Sequence, residues 1–268
     1  MEQTADARVK ASRPILILMY HQVGMRPSLP APLDEVLIPR QAFERQMAAL
    51  HRTGWRGVSL TELEPYLRGE KHGKVVGITM DDGYVDCLHH AVPVLQKFGF
   101  SATCYAVSDR RQNEWDWPHG VPRLSLMTTA ELREWVAAGN DIGGHTRTHA
   151  RLDTLDDATA REEIAGCKRE LEDRVGVEVR HFSYPYGLGG PQHVDMVREA
   201  GYVTATTSDS RRAFRQNHLL ALPRITALPD TGPLQMCAWA YLGTERLRAL
   251  ARAVRGRGAP AGLNLGSA

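Results

Sequence analysis

Apolar residues occur along the chain in short continuous runs that alternate with stretches of helical spacing. The first run, ILILMY at residues 15–20, is almost entirely apolar, as is typical of a strand buried on both faces of a sheet. After a proline-rich stretch at residues 22–40, Phe43, Met47 and Leu50 recur at helical spacing. We predict a buried strand, an irregular loop and a helix, in that order.

This alternation of strand and helix patterns continues to about residue 226. The later apolar runs are WRGVSL, KVVGITM, FSATCYAV, DIGGHT, VRHFSYPYG, YVTATTS and LLALPRITA. Strands that alternate with helices lie parallel and are joined by right-handed crossovers, and a chain of 268 residues favours closure into a barrel. Residues 109–127 carry neither pattern and are interpreted as a loop insertion. We therefore predict an α/β fold with a closed or partly closed parallel barrel.

Composition narrows the classes of partner. With 43% hydrophobic and 24% charged residues, the chain has an ordinary globular composition. A formal net charge of +2 does not indicate nucleic-acid binding, so we expect no nucleic-acid partner. The four cysteines lack C-x-x-C spacing and are interpreted as reduced, mostly buried residues.

The amino-terminal residues admit two interpretations. Arg8, Lys10 and Arg13 precede the first apolar run, as positive charges precede the apolar part of a signal peptide. The run is at the lower end of the usual length and no small-residue cleavage site follows it, so we favour a buried first strand. No stretch approaches the roughly 18 apolar residues of a membrane span. We expect a cytoplasmic protein.

We divide the chain into four parts. They are a flexible N-terminus at residues 1–13, a single barrel domain at 14–230, a basic amphipathic helix at 231–257 and a disordered tail at 258–268. The basic helix either packs on its own domain, which we favour, or contacts the inner membrane peripherally through anionic lipids. The sequence does not indicate an oligomeric state.

Polar residues with characteristic chemistry follow several predicted strands. Parallel barrels carry their chemistry at the carboxyl ends of the strands, where this sequence places His21, Asp81, Asp82, His145 and His149. Two histidines and a carboxylate form a common ligand set for a catalytic Zn²⁺-like ion. We expect the H-x-x-x-H spacing to bring both imidazoles onto one face of a helical turn.

Each motif is weak by itself, because adjacent aspartates are common in turns and the chain has eleven histidines. Together the motifs end predicted strands, lie beside glycines and supply three ligands, so we predict a metal site. Neighbouring side chains on a strand point in different directions. One aspartate can therefore bind the ion while the other takes a proton from water.

Three motifs in order, TMDDGY, HTRTH and SYPYG, make the chain resemble the polysaccharide deacetylases, also called the NodB-homology family or carbohydrate esterase family four. The phrases AVPVLQKFGFSATCYAV, MTTAELREWVAAGNDIGGHT and LPRI fit as well, and the match runs from about residue 14 to 226. The resemblance implies a single distorted (β/α)7 barrel. It also implies a hydrolase that removes acyl groups from acetylated sugars with Zn²⁺, or with another divalent ion such as Co²⁺ or Ni²⁺.

The resemblance also implies roles for individual residues. Asp81 would be the general base. The metal ligands would be Asp82, His145 and His149. The turn at Pro185 and Tyr186 would form part of the oxyanion site, with the backbone N–H of Tyr186 facing the developing charge. Apart from the resemblance, we expect Tyr84 and Tyr186 to line the pocket.

The chain departs from the family pattern in two places. The third-motif arginine, which holds the catalytic aspartate, is Ser183 here, and a serine cannot orient a carboxylate as a guanidinium does. Arg224 is either the replacement or a structural ion-pair partner. No late L-x-H motif follows residue 226, so His21 becomes the candidate general acid, as in the circularly permuted poly-N-acetylglucosamine deacetylase branch. The alternative is a structural role for His21.

Trp115 and Trp117, in the loop insertion, either stack on sugar rings or pack against the barrel. The function we favour is removal of N-acetyl groups from an acetylated carbohydrate, either a polysaccharide or a glycoconjugate precursor. Two alternatives stay open. The same groups would serve an O-acetyl esterase acting on acetylated glycans, and the missing third-motif arginine would also suit a degenerate carbohydrate-binding barrel without catalysis.

Overall fold

The structure is a computed structural model that describes residues 15–24, 37–117, 120, 122–187, 189–210 and 218–241. All structural statements below concern these residues. The predicted flexible N-terminus, most of the predicted basic helix and the predicted tail lie outside them, so the four-part division of the chain stays a prediction.

The described chain contains ten strands and seven α-helices. The strands are β1 (Leu16–Tyr20), β2 (Gln22–Gly24), β3 (Leu37–Pro39), β4 (Arg56–Val58), β5 (Val75–Met80), β6 (Thr103–Ala106), β7 (Asp141–Gly144), β8 (His181–Ser183), β9 (Thr204–Ser210) and β10 (Leu222–Thr226). The helices are α1 (Arg40–Arg52), α2 (Leu60–Leu67), α3 (Val92–Phe98), α4 (Thr129–Ala137), α5 (Asp157–Val175), α6 (Pro191–Glu199) and α7 at 233–241.

Seven parallel strands form a closed ring in the order β1, β5, β6, β7, β8, β9, β10. The ring closes because β1 pairs on one side with β10 and on the other with β5, over a register that runs from Leu16–Val76 to Tyr20–Met80. Strand β4 pairs with the first half of β5 and lies at the amino end of the barrel. The predicted (β/α)7 barrel is confirmed.

The apolar runs fill the barrel and the layer beneath the helices. All residues of β1 and β5 are buried, and α1 turns Phe43, Met47 and Leu50 toward the sheet. Gln46 is a buried polar exception on the same face of α1. Its amide oxygen accepts a hydrogen bond from the Tyr20 hydroxyl at 2.9 Å, and its amide nitrogen donates to the carbonyls of residues 228 and 231. The segment after β10 is thereby fixed to α1.

The prediction of an irregular loop at residues 22–40 is wrong at both ends of the segment. Strands β2 and β3 form a small parallel sheet, with Val23 paired to Ile38. The prolines between them dominated the sequence pattern, whereas the short apolar ends are almost completely buried. Because β2 starts one residue after His21, this sheet fixes the chain immediately after the barrel strand β1.

The described part of the predicted basic helix packs on the barrel. Met236, Trp239 and Ala240 of α7 are buried, and the Tyr241 ring meets the Trp55 ring edge-on at 5.4 Å. The arginines of this segment lie outside the described residues, so peripheral membrane contact stays a prediction. No helix within the described ranges combines the length and the apolar character that crossing a membrane requires.

Candidate active site

A cavity of about 230 Å³ opens at the carboxyl ends of the barrel strands. It is lined by Met19, His21, Asp81, Asp82, Tyr84, Trp115, Asp116, His145, His149, Tyr184, Tyr186, Gly187, Ser208 and Arg224. The structure therefore brings together nine of the eleven site residues that the sequence analysis names, and leaves Pro185 and Trp117 out of the lining.

Asp82, His145 and His149 converge in this cavity. One ligand atom from each residue lies within 4.8 Å of the others. Asp82 Oδ1 is 3.4 Å from His145 Nε2 and 3.3 Å from His149 Nε2, and all three side chains are buried. Within the described part of the chain, these three side chains form the one group of histidine, cysteine or acidic residues close enough to share a metal ion.

The donor atoms of the cluster fit a divalent cation. Asp82 Oδ1 is buried and has no hydrogen-bond partner among the described residues, which is costly for a carboxylate oxygen unless a cation satisfies it. His145 Nδ1 lies 2.8 Å from the carbonyl oxygen of Ser183. A hydrogen bond from Nδ1–H to that carbonyl leaves Nε2 with its lone pair toward the cluster, the usual arrangement of a metal-binding histidine.

Burial works to raise the pKa of Asp82, but the two imidazoles outweigh burial and leave the pKa well below its ordinary value. The pKa of His145 is raised, because the neighbouring carboxylates outweigh its burial. Burial dominates at His149 and lowers its pKa. Asp82 is thus a buried carboxylate that keeps its negative charge and can attract a cation between the two imidazoles.

Four non-glycine residues in the described chain have a left-handed backbone. Three of them line the cavity, and the fourth, Thr146, lies in the loop between the two histidines. The four are Asp82 (φ 75°), Thr146 (φ 62°), His149 (φ 60°) and Tyr186 (φ 59°). The expectation that the H-x-x-x-H motif forms a helical turn is therefore wrong, because residues 145–150 are an irregular loop. Such conformations cost of order 1–3 kcal/mol each and persist only where the surroundings impose them.

A buried glutamate imposes the conformation of the histidine loop. Glu163, on α5, accepts hydrogen bonds from the backbone N–H groups of Arg147 and Thr148, each at 2.9 Å, and from the Thr148 hydroxyl at 2.9 Å. Only 8% of its surface is exposed. The sequence analysis missed Glu163, because nothing in an amphipathic helix pattern distinguishes a buried carboxylate from a solvated one.

Asp81, the neighbour of Asp82, is not one of the three clustered ligands and instead pairs with the guanidinium of Arg224. Arg224 Nη1 donates to Asp81 Oδ1 at 2.6 Å, and Arg224 Nη2 donates to Asp81 Oδ2 at 2.7 Å. Nη2 also donates to the hydroxyl of Ser183 at 2.9 Å, and Nη1 to that of Thr79 at 3.0 Å. Burial works to raise the pKa of Asp81, and the charge and hydrogen bonds of Arg224 bring it below its ordinary value. The same two-point contact with Arg224 is an ion pair and also fixes the orientation of the Asp81 carboxylate.

The remaining predicted residues surround this pair. His21 follows β1 directly and is half-buried, with its carbonyl accepting a hydrogen bond from the Cys87 thiol at 3.1 Å. The Tyr186 ring is 47% exposed and lies edge-on to His149 at 4.8 Å. The Trp115 ring stacks on the His149 ring at 4.3 Å. One face of the Trp115 ring is therefore covered by His149 and cannot stack on a sugar ring.

Pro185 and Trp117 occupy places that differ from the expectation of substrate contact. Pro185 is buried at the start of the 3₁₀ turn that carries Tyr186. Trp117 packs against Arg123, whose guanidinium carbon lies 3.9 Å from the centre of the indole ring. The loop insertion thus places one tryptophan at the cavity and the other in a cation–π contact with an arginine side chain of the same loop.

Asp116 is a cavity residue that the sequence analysis missed. It lies between the two tryptophans in NEWDWPH, and the sequence analysis considered only the tryptophans of this segment as substrate contacts. Its Oδ2 accepts a hydrogen bond from the Tyr84 hydroxyl at 3.0 Å. Burial and the negative charge of Asp82 raise the pKa of Asp116.

The fold and this cavity define an α/β-barrel protein in which three possible metal ligands and a separately anchored carboxylate lie side by side. The chain belongs to the polysaccharide deacetylase family, whose family model matches residues 68–205. The resemblance stated from the three motifs is thereby confirmed.

Two curated relatives and one solved structure are informative. The Bacillus subtilis (strain 168) protein YxkH, named as an inferred polysaccharide deacetylase, is 27% identical over 85% of this chain and 77% of its own length. A poly-beta-1,6-N-acetyl-D-glucosamine N-deacetylase of Staphylococcus aureus (strain MSSA476) is 20% identical over 72% of this chain and 68% of its own. The Streptococcus pyogenes deacetylase PplD, solved in complex with acetate, superposes with a TM-score of 0.73 at 23% identity, over 84% of this chain and 97% of that one.

Proposed function

We propose that this protein is a metal-dependent hydrolase that removes N-acetyl groups from an acetylated sugar, either a polysaccharide or a glycoconjugate precursor. One observation carries the proposal: the Asp81–Arg224 pair lies in the same cavity as the cluster of Asp82, His145 and His149. The name of the Staphylococcus aureus relative supports N-acetylglucosamine as the acylated sugar.

Asp82, His145 and His149 would hold the ion, and their mixed nitrogen and oxygen donors suit Zn²⁺, with Co²⁺ or Ni²⁺ as substitutes. When bound, such an ion supplies a Lewis acid that polarises the acetyl carbonyl and makes water more acidic. Three protein ligands leave coordination positions open for substrate and water.

Asp81 would accept the proton of the attacking water. Oδ2 accepts hydrogen bonds from Arg224 and from the Ser183 hydroxyl, whereas Oδ1 accepts one from Arg224 and retains a second lone pair. The two-point contact with Arg224 removes rotation of the carboxylate, so the free lone pair of Oδ1 keeps a fixed direction. Arg224 would thus perform the positioning that the family pattern assigns to an arginine at Ser183.

His21 and Tyr186 would act on the other side of the scissile bond. A half-buried imidazole at the end of β1 can donate a proton to the departing amine. Tyr186 lines the cavity and has a left-handed backbone, and its main-chain N–H would stabilise the oxyanion. Tyr84 would contribute to the pocket through its hydroxyl.

The test is acetate release from N-acetylglucosamine oligomers, from acetylated xylan and from other O-acetylated glycans, with the metal content determined on the same samples. We expect acetate from the N-acetylated oligomers, and a loss of at least about 1,000-fold in kcat for Asp81→Asn with metal retained. Asp153→Asn, an exposed aspartate outside the cavity, is the matched control. Release from O-acetylated glycans alone would favour the esterase, and metal binding without any acetate release would favour a non-catalytic binding barrel.

A further inference from the structure

The carboxylate of Asp116 lines the cavity but has no part in the chemistry proposed above. Asp116 lies on the loop insertion beside Trp115, and it shares the cavity with Asp82 and His149. The charges of these residues influence one another: Asp82 raises the pKa of Asp116, and Asp116 works to raise the pKa of His149 against the effect of burial.

Neighbouring residues hold Asp116 from one side only. The Tyr84 hydroxyl donates to Oδ2 at 3.0 Å, and the Asn113 amide nitrogen approaches the same oxygen at 3.5 Å. Asn113 is fully buried and is itself fixed, since its Oδ1 accepts the Leu124 N–H at 2.7 Å and its Nδ2 donates to the Pro122 carbonyl at 3.1 Å. Both contacts use Oδ2, so the carboxylate is oriented without engaging Oδ1.

The three carboxylates of the cavity differ in the charge of their partners. Asp81 is paired with the guanidinium of Arg224, and Asp82 faces two imidazoles. The two donors that hold Asp116 are a phenol and an amide, both of which are neutral. The negative charge of Asp116 therefore acts on whatever molecule enters the cavity, and it acts strongly because water is partly excluded there.

We propose that Asp116 determines specificity: it selects an uncharged N-acetylhexosamine and disfavours acetamido sugars that carry a carboxylate. The inference rests on the proposed function, because it names the substrate class of the same site. A fixed carboxylate oxygen accepts a charge-assisted hydrogen bond from a sugar hydroxyl. A carboxylate on the sugar, such as the lactyl group of N-acetylmuramic acid, instead brings a like charge into a partly buried space.

The test compares two inhibitors, N-acetylmuramic acid and its methyl ester, which differ by one negative charge and one methyl group, against deacetylation of an N-acetylglucosamine oligomer. We expect the ester to inhibit the wild-type protein at a concentration about tenfold lower than the acid, a difference of about 1.4 kcal/mol. In Asp116→Asn, the two inhibition constants should agree within about twofold. The same variant should raise KM for the oligomer severalfold and change kcat less, because a ground-state contact is lost.

Glu114→Gln is the matched control, because it removes one negative charge from the same loop at an exposed residue outside the cavity lining. Thermal melting and metal content verify that Asp116→Asn folds, and Asp116→Ser replaces it if it does not. Equal inhibition by acid and ester in the wild type, or the same shift in Glu114→Gln, overturns the proposal. Absence of acetate release from the oligomer by the wild type overturns the proposed function first, and this inference with it.

Discussion

The guanidinium of Arg224 and the carboxylate of Asp81 form a two-point ion pair inside the cavity, although 143 positions separate them in the sequence. Both side chains are almost completely buried. Ser183, at the position of the family's third-motif arginine, adds one hydroxyl to the same guanidinium. The charge that holds Asp81 therefore comes from β10, whereas Ser183 of β8 contributes a neutral hydroxyl that accepts from Arg224 and donates to Asp81 Oδ2 at 3.5 Å.

Replacing Arg224 with lysine keeps the charge but removes the paired geometry. We expect kcat for acetate release to fall about 100-fold, because Asp81 would no longer be fixed toward the attacking water. Replacing Arg224 with methionine leaves a buried, unpaired carboxylate. The free energy of unfolding in urea should then fall by about 3–5 kcal/mol.

The matched control is Arg180→Lys, because Arg180 pairs with Glu64 in a partly exposed position away from the cavity. Its effect on unfolding should stay below about 1 kcal/mol, with kcat unchanged. The exchange of Ser183→Arg with Arg224→Ser should recover activity relative to Arg224→Ser alone. Full activity of Arg224→Lys would contradict the positioning role of Arg224.

Metal binding should depend on the three clustered ligands. We expect one Zn²⁺ or Co²⁺ per chain by titration calorimetry, and an affinity at least about 100-fold lower for His149→Gln. Since the ion binds the folded state, an excess of 1,000 times Kd should stabilise the protein by about 4 kcal/mol. His89→Gln, an exposed histidine on the helical segment after β5, should behave as the wild type. Unchanged affinity in both variants would place the metal elsewhere.

Glu163 should support the ligands without touching the ion. Glu163→Gln retains one oxygen but weakens bonds to two backbone N–H groups and one hydroxyl. We expect Zn²⁺ affinity to fall about 10–100-fold and the metal-free protein to lose about 1–3 kcal/mol of unfolding free energy. Glu162→Gln, an exposed neighbour on α5, is the control, with an expected effect within about 0.5 kcal/mol. Metal affinity that matches the control would show that the loop holds its shape unaided.

His181 should make stability depend on pH. It is buried at β8, where its two ring nitrogens contact the hydroxyls of Thr61 and Thr204 at 2.9 and 2.8 Å. Burial lowers the pKa of His181 in the folded state, so below pH 6.5 the unfolded chain takes up protons that the folded chain does not. The contribution of His181 to the free energy of unfolding is therefore fully present above pH 6.5 and declines as the pH falls toward the folded-state pKa of about 4.

The measurement is urea denaturation of the metal-free protein at intervals from pH 8 to pH 5. His181→Gln should flatten the acid side of the profile by about 1 kcal/mol or more. Parallel profiles for the wild type and His181→Gln would assign the acid sensitivity to other groups.

The barrel could be predicted from sequence because its strands are short apolar runs whose pattern depends only on burial. The small sheet of β2 and β3 could not, because its pairing joins two segments that prolines separate. The irregular shape of the histidine loop was likewise unpredictable, since the same H-x-x-x-H spacing suits a helix. Only a contact from a distant element, Glu163, decides between the two.

The site could be predicted in part from the sequence, for a related reason. Asp81, Asp82, His145 and His149 lie at strand ends, where sequence position predicts location. Trp115 and Trp117 were indistinguishable on a loop, yet only Trp115 reaches the cavity. Asp116 was overlooked because a carboxylate in a loop is ordinary until the packing of Tyr84 and Asn113 around it is known.

Closure of the ring makes the first and last strands of the sheet direct neighbours. A nascent chain that has already produced β5, β7 and β8 possesses the residues of the ligand cluster, yet still lacks the strand that carries Arg224. The carboxylate of Asp81 therefore acquires its anchor only when synthesis has passed β10 and that strand docks against β1. Contacts between such distant segments form slowly, so the three possible metal ligands are synthesised before the ion pair that orients Asp81 can form.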